Sequence, residues 1–265
     1  MDSGSVFLLS TIPDTTYTNF TFVAQHFDCD TSTPEAELSC MRDIDFQAIT
    51  DFVGGYGENR TSPEPSLSFG PTPDERVVYS NYTERYANGL LADRPALFTS
   101  NTEEGTMLGG STLTSLPSPS DPYGTWSLNS TLAEETTLSS FQCPAATSSM
   151  LREAAGRTTY RWQYAGNFSN VSPLPWQGTY HSSDLAMTFG SHPDFRGPST
   201  EHEYMVSQSM QDHLLAFARD PISGPKGLGW QDMSSGQMLR FGKGGEVVMA
   251  VAEEQIDAAC SDYSV

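Results

Sequence analysis

Positive charge is scarce in this 265-residue chain: 13 Lys and Arg stand against 33 Asp and Glu, a formal net charge of −20. That balance excludes nucleic acid as a partner, because phosphate binding needs clustered cations. It equally disfavours docking on anionic membrane surfaces. Long apolar runs are missing too. The longest near the start is Val6-Phe7-Leu8-Leu9, far short of the roughly 20 residues that span a bilayer, so no stable membrane insertion is expected. The N-terminus has neither a basic n-region nor an apolar core and is not a signal peptide. Also absent is any G-x-S-x-G, the strand–turn–helix elbow that exposes a serine nucleophile.

What is present fits a globular chain with many polar loops: 37% hydrophobic and 17% charged residues, in a length that suits one large domain or two small ones. Asn-X-Ser/Thr sequons occur at Asn19, Asn59, Asn81, Asn129, Asn167 and Asn170. Six of the eight asparagines thus lie in sequons, against roughly two expected by chance from this composition. The excess points to a glycosylating secretory route, and four cysteines, an even number, suit the same oxidising compartment. A secreted, extracellular protein is expected, with its natural start upstream of Met1.

Met1-Asp2-Ser3-Gly4-Ser5 reads as a strand end entering a turn, and a short apolar face begins around Thr21. Cys29 and Cys40 bracket a short loop; a disulfide there would contribute roughly 3 kcal/mol, and two buried free thiols are the alternative. Thr33-Pro34-Glu35 is a helix start. A helix is predicted over 43–53, with Ile44, Ala48 and Phe52 on one face and Gly54-Gly55-Tyr56-Gly57 ending it. Residues 58–75 read as surface loop, 76–82 as strand, and 96–99 as a short buried strand. Residues 109–140, rich in Ser, Thr, Pro and Gly, read as an irregular excursion. Phe141-Gln142-Cys143-Pro144 opens a helix ending near Gly156, and Arg157–Tyr164 alternates as a strand with Tyr160, Trp162 and Tyr164 on one face. Thr200-Glu201-His202-Glu203 is a capping box. It precedes the best amphipathic helix in the chain, carrying Val206, Met210, Leu214 and Phe217. Residues 239–241 and 246–250 are short strand candidates.

Two stretches carry chemistry. In Thr179–Gly190 (TYHSSDLAMTFG), His181 follows a tyrosine and precedes an apolar run. In Ser100–Gly105 (SNTEEG), a strand breaks into a polar turn bearing Glu103 and Glu104. An acid on the loop after one strand and a histidine on the loop after a later one is the chain order of two members of a Ser–Glu–His triad. Glu103 reads as a solvated turn residue. Tyr180 and Trp176 are candidates for a substrate pocket, with core packing as their alternative role. His192 and His202 with nearby acids offer a metal site only weakly, because Glu201 and Glu203 are accounted for by helix N-terminal charge. No metal and no cofactor are expected.

In this order the motifs resemble the C-terminal half of the type-B carboxylesterases, the group of cholinesterases and fungal secreted esterases and lipases. The resemblance covers nearly the whole chain. It implies a single α/β domain over 1–265, the C-terminal portion of an α/β-hydrolase fold: a mostly parallel sheet flanked by helices, incomplete at the N-terminus. Cys29 and Cys40 match the family's small disulfide loop. The Cys-Pro helix start implies that Cys143 pairs with Cys260, which would contribute up to about 5 kcal/mol. The glutamate directly before glycine, Glu104, takes the acid role and His181 the base role. Ser182 departs from the glycine that usually follows the histidine, and Asp184 stands where glutamate is frequent.

The implied activity is hydrolysis of a small-molecule or lipid ester. Its nucleophile and oxyanion loop lie in an upstream half that these residues do not include, and Ser3 and Ser5 do not replace that nucleophile. The sheet would then begin at its middle strands with an unpaired apolar edge, and the chain alone would be inactive. The alternative is a non-catalytic, esterase-like binding or adhesion module.

Overall fold

The structure, a computed structural model, describes residues 3–9, 14, 16–29, 33–59 and 67–263. The expected strand end at Met1-Asp2 lies outside the described residues. The chain packs as two compact units, Leu9–Ser80 and a larger one made of Met1–Leu8 with Asn81–Val265.

The smaller unit is helical: α1 (Thr18–His26), α2 (Pro34–Arg42) and α3 (Phe46–Asn59). Thr33 caps α2 by accepting a hydrogen bond from the Ala36 amide, with Pro34 in the first turn. The Cys29–Cys40 disulfide ties the residues after α1 to α2, and Val23, Ala24, Cys29 and Met41 form the core. Helix α3 does not end at Gly54-Gly55-Tyr56-Gly57 but runs through to Asn59. Each glycine costs a helix about 1 kcal/mol. Against that cost, Tyr56 lies one turn beyond Phe52, and both rings pack on Phe22, at 5.1 and 6.4 Å.

The strand expected at 76–82 does not form. Asp74 takes hydrogen bonds on one carboxylate oxygen from the amides of Arg76, Val77 and Val78, at 2.8–2.9 Å, which hold its carboxyl down at about 2. Amides used in this way are lost to a ladder.

The 3-10 turn Val6–Leu9 begins in the larger unit, which continues through α4 (Tyr82–Ala87), capped by Asn81, to β1 (Ala96–Asn101). The segment after β1 is more regular than its composition implies. It holds an antiparallel pair, β2 (Ser111–Ser115) and β3 (Thr125–Leu128), then α5 (Ser130–Thr137) and a π turn, Leu138–Gln142. There follow α6 (Cys143–Ala154), β4 (Thr159–Tyr164), α7 (Leu185–Thr188), α8 (Glu201–Arg219), α9 (Gly224–Gly227), β5 (Gln237–Phe241), β6 (Val248–Ala252) and α10 (Glu253–Asp257). The main sheet has the order β1-β4-β5-β6, with the first two pairings parallel and the last antiparallel. Helices α6 and α8 lie in the β1–β4 and β4–β5 crossovers, so this is the expected α/β arrangement, a mostly parallel sheet flanked by helices.

Tyr160, Trp162 and Tyr164 pack with Val206 and Met210 of α8, Trp230 and Phe241 into one core. The capping box at the start of α8 is present, with the Thr200 hydroxyl and Glu203 carboxylate each bonded to the other's amide. The opposite face of β4 is also covered. Arg161, 2% exposed, makes a bidentate ion pair with Asp257 of α10, and Gln163 accepts from the Arg240 guanidinium. The Cys143–Cys260 disulfide fastens α6 to the C-terminal segment. At the β1 end of the sheet, Leu97–Asn101 are buried and the Ser3 amide donates to the Thr99 carbonyl at 3.1 Å. The expected unpaired edge is therefore occupied at Thr99 by the first residues of the chain itself.

Candidate active site

The turn that ends β1 holds a fully buried carboxylate. Glu104, 0% exposed, begins a 3-10 turn over Glu104–Thr106. One of its oxygens accepts from the Asn101 amide at 2.7 Å and from the Ser3 hydroxyl at 2.5 Å. The other lies 2.7 Å from His181 Nδ1. These three partners satisfy a polar side chain that is completely buried. Burial of this turn also explains the glycine that follows. A Cβ on Gly105 would sit 2.1 Å from the Ala133 carbonyl oxygen of α5, and the Gly105 amide donates to Thr137 in the same helix. Helix α5 of the 109–140 segment therefore covers the acid turn.

His181 leaves β4 by a long polar loop. Its side chain is 33% exposed, and one ring flank packs on Phe141 at 4.9 Å between centroids. Behind it, Asn101 Nδ2 donates to the Tyr180 carbonyl and to Asp184, at 2.9 and 3.0 Å. Ser182 has φ +73°, which explains why glycine suits this position. A non-glycine residue there carries about 1–2 kcal/mol of strain.

Glu103 is not the solvated turn residue the sequence implies. Its carboxylate faces the histidine loop, accepting from the Thr179 amide at 2.8 Å, from the Thr179 hydroxyl, and from Thr102 at 2.5 Å. Burial pushes this carboxyl up, but the bonds from Thr102 and Thr179, aided by Lys243, outweigh it, so it titrates below the ordinary 4.5.

Ser3 is the contributor that sequence reasoning missed. Considered only as a nucleophile, it turns out to be 8% exposed and committed to Glu104. Nothing in five unpatterned residues marks a contact made 101 positions away. Ser5 is held elsewhere, by the Pro144 carbonyl and Ser148. Trp176 lines a cleft of about 420 Å³ that also touches Glu103, Thr106, Leu128, Leu138 and Gln142. Tyr180 is not among the cleft residues; its hydroxyl donates to the Val171 carbonyl.

His192 is buried, with Nδ1 2.7 Å from the Ser199 hydroxyl and 3.5 Å from Glu203, and the His202 ring faces Phe168. Among the described residues no group of three or more His, Cys, Asp or Glu is placed to hold a metal ion. No described helix is long and apolar enough to cross a membrane. Asn81, Asn129 and Asn167 are exposed. Asn170 is 6% exposed, and its amide nitrogen is committed to the His192 carbonyl and Ser199. A glycan on that nitrogen is incompatible with this fold.

No family model matches the chain. Its sequence is 37% identical over 276 residues to a chlorogenic acid esterase of Aspergillus niger, covering 98% of this chain and 50% of that protein. It is 34% identical over 240 residues to secreted lipase 5 of Gibberella zeae, covering 86% of this chain and 43% of that one. The chain therefore spans about half the length of the curated relatives it matches. A solved PNB esterase superposes over the whole chain and 56% of its own length, with a TM-score of 0.69 at 15% identity, which establishes a shared fold. Together these similarities support an esterase/lipase family for the chain.

Proposed function

We propose that this chain supplies the acid and base of a Ser–Glu–His triad for carboxylic-ester hydrolysis, within a type-B carboxylesterase domain whose nucleophile comes from a segment outside these 265 residues. The observation that carries the proposal is the Glu104–His181 pair: a fully buried acid 2.7 Å from Nδ1 of a ring that stays one-third exposed. In that chemistry the serine oxygen attacks the ester carbonyl while its proton passes to His181 Nε2. The tetrahedral intermediate collapses as the imidazolium returns the proton to the departing alcohol. Water then repeats the cycle and releases the acid. Glu104 fixes the ring with hydrogen on Nδ1, keeping Nε2 as the base, and stabilises the cation as it forms.

The substrate is an ester with an apolar or aromatic part that Trp176 and the cleft beside Glu103 accommodate. The protein is secreted and carries glycans on exposed sequons such as Asn81, Asn129 and Asn167. Without the nucleophile and its oxyanion donors, the isolated chain does not turn over esters. The test is hydrolysis of a nitrophenyl acetate by the purified chain, with and without the nucleophile-bearing segment. Activity that appears only on complementation and is lost in His181→Ala supports the proposal. Turnover by the isolated chain that His181→Ala abolishes refutes the division of labour. Inactivity of the complemented protein favours a binding module.

A further inference from the structure

The histidine loop is pinned to the acid turn at more points than the ring itself. The Thr106 hydroxyl donates to the Gln177 carbonyl at 2.9 Å. The Glu103 amide donates to the Thr179 carbonyl at 3.3 Å, and the Glu103 carboxylate takes both the amide and the hydroxyl of Thr179. The Thr102 and Thr179 hydroxyls lie against each other over the same Glu103 oxygen, to which both donate. On the far side of Thr179, Asn101 holds the Tyr180 carbonyl. The backbone is therefore fixed at residues 177, 179 and 180, immediately before the histidine.

Gly178 shows that the approach of Glu103 is built in. Its φ is +55°, and a Cβ there would meet the Glu103 carboxyl carbon at 2.9 Å and an oxygen at 3.0 Å. A side chain at 178 would displace the carboxylate from the Thr179 amide. Glu103 thus occupies the space that glycine leaves, three residues before His181. On the other side of the histidine, Ser182 sits in the left-handed region, a conformation that neighbouring contacts have to maintain.

We infer that Glu103 is a positioning residue: a carboxylate clamp that sets the backbone of the histidine loop so that His181 Nδ1 meets Glu104. This rests on the triad reading for its purpose, but not for its geometry. Two adjacent glutamates then divide the work, with Glu104 holding the ring and Glu103 the chain that carries it. Because Glu103 also lines the cleft, occupancy of the cleft and alignment of the ring share one side chain.

The experiment uses the purified chain with ¹⁵N-labelled histidine, following the Nδ1-bound proton of His181 and its exchange with water. In Glu103→Ala that proton is expected to exchange on the order of 10-fold faster, as local opening becomes easier. Glu103→Gln, which keeps an acceptor for the Thr179 amide, recovers part of the protection. Thr179→Val, which keeps the amide but loses the hydroxyl, falls between. Glu203→Gln, which perturbs the remote α8 cap, leaves the His181 signal unchanged and so controls for general destabilisation.

A folded Glu103→Ala chain with unaltered His181 exchange overturns the clamp. If that variant does not fold, unaltered exchange in Thr179→Val does so instead. Failure of the two readings is distinguishable. Loss of protection in Glu103→Ala with no turnover by the complemented protein sinks the esterase reading and leaves the clamp. Intact turnover with unaltered exchange sinks the clamp alone.

Discussion

Among the described residues of the larger unit two histidine–glutamate pairs occur, and they are put to different uses. In His181–Glu104 the acid is fully buried, the contact is 2.7 Å, and the ring is one-third exposed. In His192–Glu203 both side chains are 2% exposed, the nitrogen is 3.5 Å from the acid, and its nearer partner is the Ser199 hydroxyl. Burial pushes the His192 imidazole down, and Glu203 only partly opposes it. An enclosed ring bonded to the Ser199 hydroxyl and facing the carboxylate of a helix cap is a packing device. A ring held by a buried carboxylate on one nitrogen, with part of its surface open, can exchange protons with a substrate. Residue type is the same in both, so access and the partner of Nδ1 make the difference.

The sharpest way to break this contrast is to delete each ring. In the nucleophile-complemented protein, His181→Ala is expected to lower kcat on the order of 10⁶-fold with little change in melting temperature. Esterase kinetics and calorimetry on one preparation check both halves. Glu104→Gln, which keeps the shape but loses the carboxylate, is expected to cost about 10⁴-fold in kcat by releasing the ring's tautomer.

His192→Ala should do the reverse. It removes a buried ring together with its bond to the Ser199 hydroxyl, at about 2–4 kcal/mol of stability by denaturant titration, with kcat close to that of the parent.

Acid sharpens the same contrast. His192 and His213 both titrate below the ordinary 6.5 because burial disfavours their cations. Between their folded values and 6.5 the unfolded chain binds more protons, so stability rises with pH across that window. Melting temperature should fall as pH drops below 6.5, and His192→Gln should flatten the slope. Glu103 acts lower down. Its depressed pKa contributes stability that is present above 4.5 and lost as pH falls through the folded value. The smallest effect is expected from Ser182→Gly, which relieves about 1–2 kcal/mol of left-handed strain beside His181 against about 0.4–1 kcal/mol of added unfolded-state entropy, for a net gain of about 0.5–1 kcal/mol. A loss of stability there would mean that the Ser182 side chain contributes contacts of its own.

Much of the architecture is legible along the chain because it depends on local rules. Thr33-Pro34 and the Thr200–Glu203 box start their helices by bonding amides within three residues. The alternation Tyr160, Trp162, Tyr164 marks β4, since successive side chains of a strand face opposite ways. The 76–82 segment misleads because a single carboxylate, Asp74, competes for its amides. The 109–140 segment misleads because most of its residues stay exposed in a short strand pair and helix, and its buried Gly110, Ala133 and Thr137 meet the acid turn without a periodic pattern.

By itself, the sequence determined where an acid turn and a histidine loop occur, that Thr33 and Thr200 start helices, and that four cysteines in an acidic, sequon-rich chain suit an oxidising route. Those features rest on neighbours in the chain or on composition. Only the tertiary structure decided which of two adjacent glutamates reaches the ring, that Ser3 completes the buried carboxylate's partners, and that His192 is enclosed while His181 is not. Such choices depend on desolvation and on contacts spanning 77 and 101 residues. Packing alone brings those groups within hydrogen-bond distance.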